Sequence, residues 1–174
     1  MELYLVRHIE PYAVKGICYG QTDVQLPSDY LDLHENIRRQ LPENYDQVYA
    51  SPLSRCKILA DALSSKAIVD KRLMELNFGE WEGQKWDAID REVLDNWAKD
   101  YVNQSPPGGE SLQGMANRFS AFIEDLSSGK TVVVIAHAGI IRCAMHLFSG
   151  VPLNQVMQQQ VAYGSIHKFK LKRN

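Results

Sequence analysis

The pattern of apolar and polar positions predicts five strands, at residues 2–7, 46–51, 67–70, 131–136 and 165–171. The clearest is TVVVIA at 131–136, where a continuous β-branched run is typical of a strand buried on both faces, as in a parallel sheet. The last, SIHKFKL at 165–171, alternates between apolar and polar residues, which is typical of a strand nearer the edge of a sheet.

Helices are predicted between these strands, at residues 29–41, 52–64, 111–128 and 139–148. Pro42 ends the first helix and Pro52 opens the second, in line with the positions that proline favours at helix boundaries. The third helix is amphipathic, and its apolar residues are expected to face the core: Leu112, Met115, Phe119, Phe122 and Ile123.

Residues 79–109 interrupt this alternation. They contain all three tryptophans, Trp81, Trp86 and Trp97, they are rich in acidic residues, and they end in the loop sequence SPPGGES. We interpret them as a small lid-like insertion with short helices. The 174 residues are enough for one domain with a sizeable core and little more, so a single domain over residues 1–174 is expected.

The alternation of strands and helices favours an α/β fold with a mostly parallel sheet that is covered on both faces. Sheets of this kind bind ligands outside the carboxyl ends of their strands. That rule selects residues that follow predicted strands, namely Arg7, His8, Arg55 and His137. Two arginines and two histidines are therefore expected to meet at one edge of the sheet.

Composition narrows the range of partners. Hydrophobic residues make up 45% and charged residues 23% of the chain, and the net charge is −2. Neither nucleic acid nor a membrane surface is therefore expected as a partner, and any attraction for an anion must be local. No apolar run is long enough to span a bilayer, and the amino terminus lacks the features of a signal peptide. Three cysteines without a CxxC motif favour reduced thiols and a cytoplasmic location.

The expected cluster suits a phosphate group. Arginine is always charged, and its planar fork matches phosphate oxygens. A neutral histidine can attack phosphorus to form phosphohistidine, and a second, protonated histidine can donate to the charge that develops on the transferring oxygens. The backbone N–H groups after His137 would add donors at a helix N-terminus. The remaining histidines, His34, His146 and His167, are more typical of surface or core positions.

Other chemistries fit the sequence poorly. It has no HExxH motif or paired cysteines for zinc, no GxSxG nucleophile elbow, and neither a P-loop nor a GxGxxG motif. No metal and no cofactor are therefore expected. A strand-terminal arginine is often only a solvated charge, so the phosphate hypothesis depends on the convergence of all four residues.

Four motifs resemble those of the histidine phosphatase superfamily, which has the phosphoglycerate mutase-like fold. LVRHIEP resembles its RHG signature, YASPLSRCKILADAL its SPLxRAxxTA motif, RLMELNFGEWEG its LxExxFGxWEG motif, and VVVIAHAGIIR its second-histidine strand. They occur in the expected order and cover nearly the whole chain. The resemblance implies a three-layer α/β/α sandwich with a mostly parallel central sheet, and metal-independent phosphoryl transfer.

The resemblance also implies catalytic roles. His8 would be the nucleophile that is transiently phosphorylated, Arg7 and Arg55 would hold the phosphoryl oxygens, and His137 would complete the phosphate pocket. Glu75 would protonate the leaving oxygen and then activate water. That role requires a carboxyl group that is partly desolvated or close to other negative charge, including the substrate.

Smaller expectations follow for neighbouring positions. Family position puts Tyr19 and Gly20 near the substrate, and the backbone N–H of Ala138 beside the phosphate. Arg142, on the helix after His137, is expected to be a supporting or structural residue rather than a phosphate ligand.

The sequence departs from the family pattern at several positions, including Pro11, where the pattern commonly has threonine. Ile9 replaces the usual glycine after the nucleophilic histidine, and a β-branched residue disfavours positive φ, so either the backbone is extended there or the pocket rim is reshaped. Val14 stands near the place of an asparagine that would contact phosphate. Ala138 replaces a glycine that many members have, at small expected cost because only its N–H is needed.

Within the superfamily, the stretches GICYGQTDVQL, SPLSRC and PPGGESL look most like the α-ribazole phosphatases of cobalamin synthesis. Such an enzyme takes a small phosphorylated metabolite, and the tryptophans would suit its aromatic base, unless they only pack the insertion. A broad-specificity phosphatase, a phosphoglycerate mutase and a non-catalytic phosphate-binding module are left as alternatives. The short, acidic insertion disfavours the mutase. A strand exposed at 165–171 would permit a homodimer.

Overall fold

The computed structural model describes residues 1–12 and 15–171. One sheet contains five strands: β1 (Glu2–Arg7), β2 (Gln47–Ala50), β3 (Ile68–Val69), β4 (Thr131–Ala136) and β5 (Ile166–Lys170). Their order across the sheet is β3-β2-β4-β1-β5. The first four are mutually parallel, and β5 runs antiparallel to β1. The predicted α/β fold with a mostly parallel sheet is confirmed, and β5 lies at the edge.

Five helices connect and flank the strands: α1 (Tyr30–Arg38), α2 (Ser54–Leu63), α3 (Arg91–Lys99), α4 (Leu112–Asp125) and α5 (Ala138–Ser149). Short 3₁₀ helices lie at Lys71–Leu73, Gly79–Trp81, Trp86–Ala88 and Leu153–Gln158. The start of α4 is fixed by Ser111, whose Oγ accepts a hydrogen bond from Gly114 N at 3.2 Å. None of these helices, within the part of the chain that the structure describes, is long and apolar enough to cross a membrane.

The two faces of the sheet are buried by different helices, which gives the three layers. One face packs against α4 and α5 through a cluster that includes Leu3, Leu5 and Val134 of the sheet. The other packs against α1 and α2 through a cluster that includes Val6 and Ile135. Residues that alternate along β1 and β4 thus bury opposite faces, as the period of a strand requires.

The centre of the sheet, at β4, is its most buried part. Every residue of β4 from Val132 to Ala136 is fully buried, in keeping with a strand that is β-branched up to Ile135 and ends in a small alanine. The parallel strands β1, β2 and β4 run in the same direction. Their carboxyl ends therefore open on one edge of the sheet, and β5, being antiparallel, begins at that same edge.

The segment 79–109 contains two short 3₁₀ helices and α3, and its tryptophans pack against one another. The rings of Trp81 and Trp97 meet edge to face at 5.4 Å between centroids. Trp81 is buried with Cys18 and Ile89 in a small separate cluster. The segment also pairs with the loop at 16–18, since Cys18 N donates to Gln84 O at 2.8 Å. Its behaviour as a lid stays a prediction.

Candidate active site

Residues from several separate parts of the chain surround a cavity of about 120 Å³ at the carboxyl edge of the sheet. Arg7 is the last residue of β1 and His8 follows it, while Arg55 lies in the first turn of α2. Glu75 comes from the loop after the Lys71–Leu73 helix. All four side chains line the cavity. The remaining wall is formed by Tyr19, Leu76, Phe78, Leu112, Met115, Gly139, Arg142 and Met157.

His8 is buried and has one ring nitrogen fixed. Its Nδ1 lies 2.6 Å from the carbonyl oxygen of Ile9. Because a carbonyl oxygen only accepts, Nδ1 carries the proton and Nε2 keeps its lone pair. Burial, followed by the positive charges of Arg55 and Arg7, lowers the pKa of His8 to about 3, although the hydrogen bond to Ile9 opposes this. His8 is therefore neutral at physiological pH, the state that a nucleophilic imidazole requires.

Arg7 and Arg55 are cations without a carboxylate partner among the described residues. Arg55 is fully buried, and its Nη1 and Nη2 donate to the carbonyl oxygens of Thr22 and Gly20 at 2.9 and 2.6 Å. The Nε atoms of both arginines are buried without an acceptor. A buried charge is costly unless it is paired, so an anion in the cavity would offset the charge of these arginines.

His137 is the single residue between β4 and α5, and it is fully buried. Its ring centroid lies 5.1 Å from that of His8, and its Nε2 lies 2.8 Å from Ser51 Oγ. Burial is the main reason that its pKa is held well below 6.5, and His8 and Arg55 lower it further. His137 is thus neutral in the free protein and has one N–H to donate. A dianion in the cavity would oppose these effects by favouring the charged ring.

Glu75 is half-buried and is oriented by backbone amides. Its Oε2 accepts from Gly139 N at 3.2 Å, in the first turn of α5, and its Oε1 accepts from Leu76 N at 2.9 Å. The backbone oxygen of Glu75 accepts from Arg118 Nη2 at 3.1 Å and from Gln21 Nε2 at 3.0 Å. The carboxyl group is therefore held at the start of α5, facing the same cavity as His8.

The other candidate residues occupy different places relative to the cavity. Tyr19 lines the cavity, whereas Gly20 contributes through the carbonyl that binds Arg55. Ala138 is buried at the first position of α5, outside the cavity wall. Ile9 is buried in the cluster on the α1 and α2 face of the sheet, and its carbonyl fixes the His8 ring. Val14 lies outside the described residues.

Two further side chains, Arg142 and Tyr163, lie closer to the phosphate-binding candidates than the sequence motifs indicate. Arg142 lines the cavity one turn into α5, so it is a third cation there. Tyr163, which no motif marks, has its ring centroid 3.7 Å from the Arg7 guanidinium carbon and 5.7 Å from the His8 ring. The signal that could have found Tyr163 is topological, because it lies just before an antiparallel edge strand.

The tryptophan cluster lies outside this cavity. Within the described residues, none of the three tryptophans lines it, and its aromatic wall comes from Tyr19 and Phe78. Phe78 packs edge to face on Trp86 at 5.4 Å between centroids, so the cluster supports that wall from behind.

No group of three or more His, Cys, Asp or Glu side chains in residues 1–12 and 15–171 is arranged to hold a metal ion.

A neutral, oriented histidine beside two arginines without carboxylate partners, at the carboxyl edge of an α/β sheet, is an arrangement that suits phosphoryl transfer. Residues 3–174 match the family model described as "Histidine phosphatase superfamily (branch 1)". The chain belongs to this superfamily. A phosphatase role is supported by its relatives and structural neighbours.

Three proteins illustrate the similarity. The "Putative phosphoserine phosphatase 2" of Hydrogenobacter thermophilus is 32% identical over 165 residues, which cover 88% of this chain and 81% of that one. The "Probable phosphoglycerate mutase GpmB" of Escherichia coli is 28% identical over 87% of this chain and 76% of its own. The crystal structure of the α-ribazole phosphatase from Shigella flexneri superposes with a TM-score of 0.88 at 25% identity, covering 99% and 92%.

Proposed function

We propose that the protein is a metal-independent phosphomonoesterase that works through a phosphohistidine at His8. The observation that carries this proposal is the state of His8, which is neutral, has Nδ1 fixed by a carbonyl oxygen and shares the cavity with the cations Arg7 and Arg55. Nε2 would attack phosphorus as the bond to the leaving oxygen breaks, while Arg7 and Arg55 bind the phosphoryl oxygens. His137 would donate its one N–H to the same group.

Glu75 would complete both halves of the reaction. A protonated Glu75 would give its proton to the leaving oxygen, so the alcohol departs neutral and the carboxylate remains. The carboxylate would then take a proton from water as the water oxygen attacks phosphorus. That attack breaks the N–P bond, releases inorganic phosphate and restores His8 and the protonated carboxyl. The contact between Glu75 and Gly139 N supports this placement beside the cavity.

We propose α-ribazole 5′-phosphate, an intermediate of cobalamin synthesis, as the substrate. The rest of the cavity wall includes apolar and aromatic side chains, from Tyr19, Phe78, Leu112, Met115 and Met157. Such a wall suits an aromatic base attached to the phosphate-bearing sugar. The similarity to an α-ribazole phosphatase structure over nearly the whole chain supports the same choice. The reaction would take place in the cytoplasm and on a free metabolite, without nucleic acid or membrane.

Phosphoserine is the second candidate substrate. The relative named for it shares 32% identity with this chain, and Arg142 gives the cavity a third cation that could receive a carboxylate. Values of kcat/KM for α-ribazole phosphate, phosphoserine, 3-phosphoglycerate and small sugar phosphates separate the possibilities. Equal values would leave a broad-specificity phosphatase, and isomerisation of 3-phosphoglycerate without phosphate release would indicate a mutase.

The chemistry itself is tested at His8. Rapid quenching of the wild type should trap phosphate that is labile in acid and stable in alkali, and His8→Ala should lose both the trapped phosphate and turnover on a generic phosphomonoester. EDTA should leave the wild-type rate unchanged. Full turnover by His8→Ala would contradict the mechanism, and phosphate binding without any hydrolysis by the wild type would favour a binding module.

The homodimer is a separate proposal about the sheet edge. The outer side of β5 pairs with no strand among the described residues, so a second copy could extend the sheet there. Lys168 and Lys170 lie on this strand and pair with Glu2 of β1 at 2.8 and 4.0 Å. Lysines on an edge strand weaken pairing with a second copy. Sedimentation velocity of the wild type and of Phe169→Pro, which would interrupt the edge, measures whether copies associate through β5.

A further inference from the structure

The loop at 159–165, which precedes β5, is attached to two arginines of the cavity. Arg142 Nε and Nη2 donate to the carbonyl oxygen of Gln159 at 3.2 and 3.1 Å. Arg7 Nη1 donates to the carbonyl oxygen of Val161. The sequence motifs assign nothing to this loop, although its two carbonyl groups fix the position of both guanidinium groups.

The same loop is also tied to the backbone of the Arg7-His8 pair. Arg7 N donates to Ser165 O at 3.0 Å, and Gly164 N donates to His8 O at 3.2 Å. Gly164 has a φ of +69°, a conformation that other residues rarely adopt. The loop is therefore held in one conformation relative to the nucleophile, and it carries Tyr163 to a fixed place.

Tyr163 forms the support on one face of Arg7. Its ring centroid lies 3.7 Å from the guanidinium carbon, a close stacking distance for a cation on an aromatic face. Arg7 Nη1 is occupied by Val161 O and its Nε is buried without an acceptor. With one face covered and one end bound, the guanidinium can present only its remaining N–H groups to the cavity.

A hydrogen bond joins Tyr163 to Tyr19, the aromatic residue beside Arg55. Tyr163 OH and Tyr19 OH are 2.8 Å apart, although the residues are 144 positions apart in sequence. The Arg55 guanidinium carbon lies 5.4 Å from the Tyr19 ring centroid. The two rings thus form a pair, here called the tyrosine bridge, that spans from one phosphate-binding arginine to the other.

We propose that Tyr163 is a positioning residue for Arg7, and that the tyrosine bridge sets the spacing of the two arginines that bind the phosphoryl group. The proposal rests on the proposed function, because it takes Arg7 and Arg55 as the phosphate ligands. Side chains that are already held in the binding geometry bind phosphate more tightly, because they lose less conformational entropy on binding. The bridge therefore acts on phosphate affinity in ground and transition states alike.

The test compares Tyr163→Leu with Tyr163→Phe. Loss of the ring in Tyr163→Leu should raise the dissociation constant of inorganic phosphate, measured by calorimetry, about three- to tenfold. The KM for a generic phosphomonoester should rise by a similar factor while kcat changes less, as expected when uniform binding is lost. Tyr163→Phe keeps the ring over Arg7 and should recover most of the phosphate affinity.

The hydroxyl link has its own comparison. Tyr19→Phe and Tyr163→Phe remove the same hydrogen bond from opposite sides, so they should have equal effects, and the double variant should lose no more than either alone. Additive losses would show that the two hydroxyl groups act independently and would overturn the bridge.

Tyr4→Leu is the matched control for loss of a ring under a cation. Tyr4 lies on β1 with Lys168 Nζ 4.9 Å from its ring centroid, and it does not line the cavity. This variant can lower the melting temperature, but it should leave the dissociation constant of phosphate within about twofold. Unchanged phosphate affinity in folded Tyr163→Leu would overturn the positioning role. A wild type that binds phosphate but hydrolyses no phosphomonoester would overturn only the proposed function.

Discussion

Gly139 lies closer to Glu75 than any residue with a side chain could. A Cβ atom at this position would be 2.2 Å from Glu75 Oε1 and 2.6 Å from Met115 Cε. The missing side chain allows the carboxyl group to reach the first turn of α5, where Gly139 N donates to it. Sequence similarity draws attention to position 138, where alanine stands for a glycine, but the tighter constraint lies one residue later.

Gly139→Ala should therefore separate phosphate binding from turnover. The added methyl group would displace the Glu75 carboxyl, so kcat should fall at least tenfold while the dissociation constant of phosphate changes much less. Gly114→Ala is the control, because its Cβ would meet only Ser111 Oγ at 3.5 Å. That helical substitution should raise the free energy of unfolding by about 0.5–1 kcal/mol and leave kcat unchanged. Normal turnover by Gly139→Ala would contradict the role given to Glu75.

The buried, neutral state of His8 predicts how stability depends on pH. Its pKa is about 3 in the folded protein against 6.5 for an exposed histidine, so below pH 6.5 the unfolded chain takes up a proton that the folded one does not. The free energy of unfolding should fall as pH drops from about 6.5 towards 3. Replacing His8 with asparagine should reduce this loss by about 2 kcal/mol between pH 6 and 4.

Urea denaturation at several pH values measures that difference. His137, whose pKa is also lowered, contributes a loss of the same sign and remains in the variant, so the slope should decrease rather than vanish. Parallel pH profiles for the wild type and His8→Asn would show that His8 is not held neutral by the fold.

At the scale of elements, α4 supports the loop that carries Glu75. Arg118 on α4 donates through Nη1 to Arg72 O and through Nη2 to Glu75 O, and it pairs with Glu110 at 2.6 Å. Glu110 Oε1 in turn accepts from Asn77 N at 3.0 Å. Both side chains of the ion pair are mostly buried, so this network fixes the loop from each end.

Arg118→Met should destabilise both the fold and the placement of Glu75. Removing the guanidinium leaves the mostly buried Glu110 carboxylate without its cation and takes one donor from each of the Arg72 and Glu75 carbonyl oxygens, at a cost of about 2 kcal/mol in the free energy of unfolding. A reduced kcat should accompany it. Arg91→Met breaks the exposed pair with Asp95 on α3 and should cost less than about 0.5 kcal/mol, with no change in kcat. Equal effects of the two variants would remove the special role of α4.

The strands and their convergence could be predicted because their signals are local. The apolar run of β4 and the alternation of β5 indicate burial directly, and parallel strands bring Arg7, Arg55 and His137 to one edge by topology. Tyr163 could not be found that way. Its contacts with Arg7 and Tyr19 join residues that are 156 and 144 positions apart, and no periodic pattern records such pairs.

The whole molecule combines a negative net charge with a cationic cavity. The chain carries a net charge of −2, so it does not attract a dianion from a distance, and binding depends on groups inside the cavity. Three arginines, Arg7, Arg55 and Arg142, line it against a single carboxyl group from Glu75. Buried charges are screened by salt much less than exposed ones. Phosphate should therefore bind locally and keep most of its affinity at moderate ionic strength.

Phosphate should consequently stabilise the protein where chloride does not. The unpaired charges of Arg7 and Arg55 destabilise the folded state until an anion offsets them, and a ligand at about 100 times its Kd adds about 2.7 kcal/mol. For a chain of this size, that corresponds to a rise in Tm of about 5–10 °C. Calorimetric scans in phosphate and in sodium chloride of equal ionic strength measure the difference. Arg55→Met should lose most of the phosphate shift. Equal Tm values in the two salts would mean that Arg7 and Arg55 do not form an anion site. The negative net charge of the molecule gives no other reason for phosphate to stabilise it more than chloride.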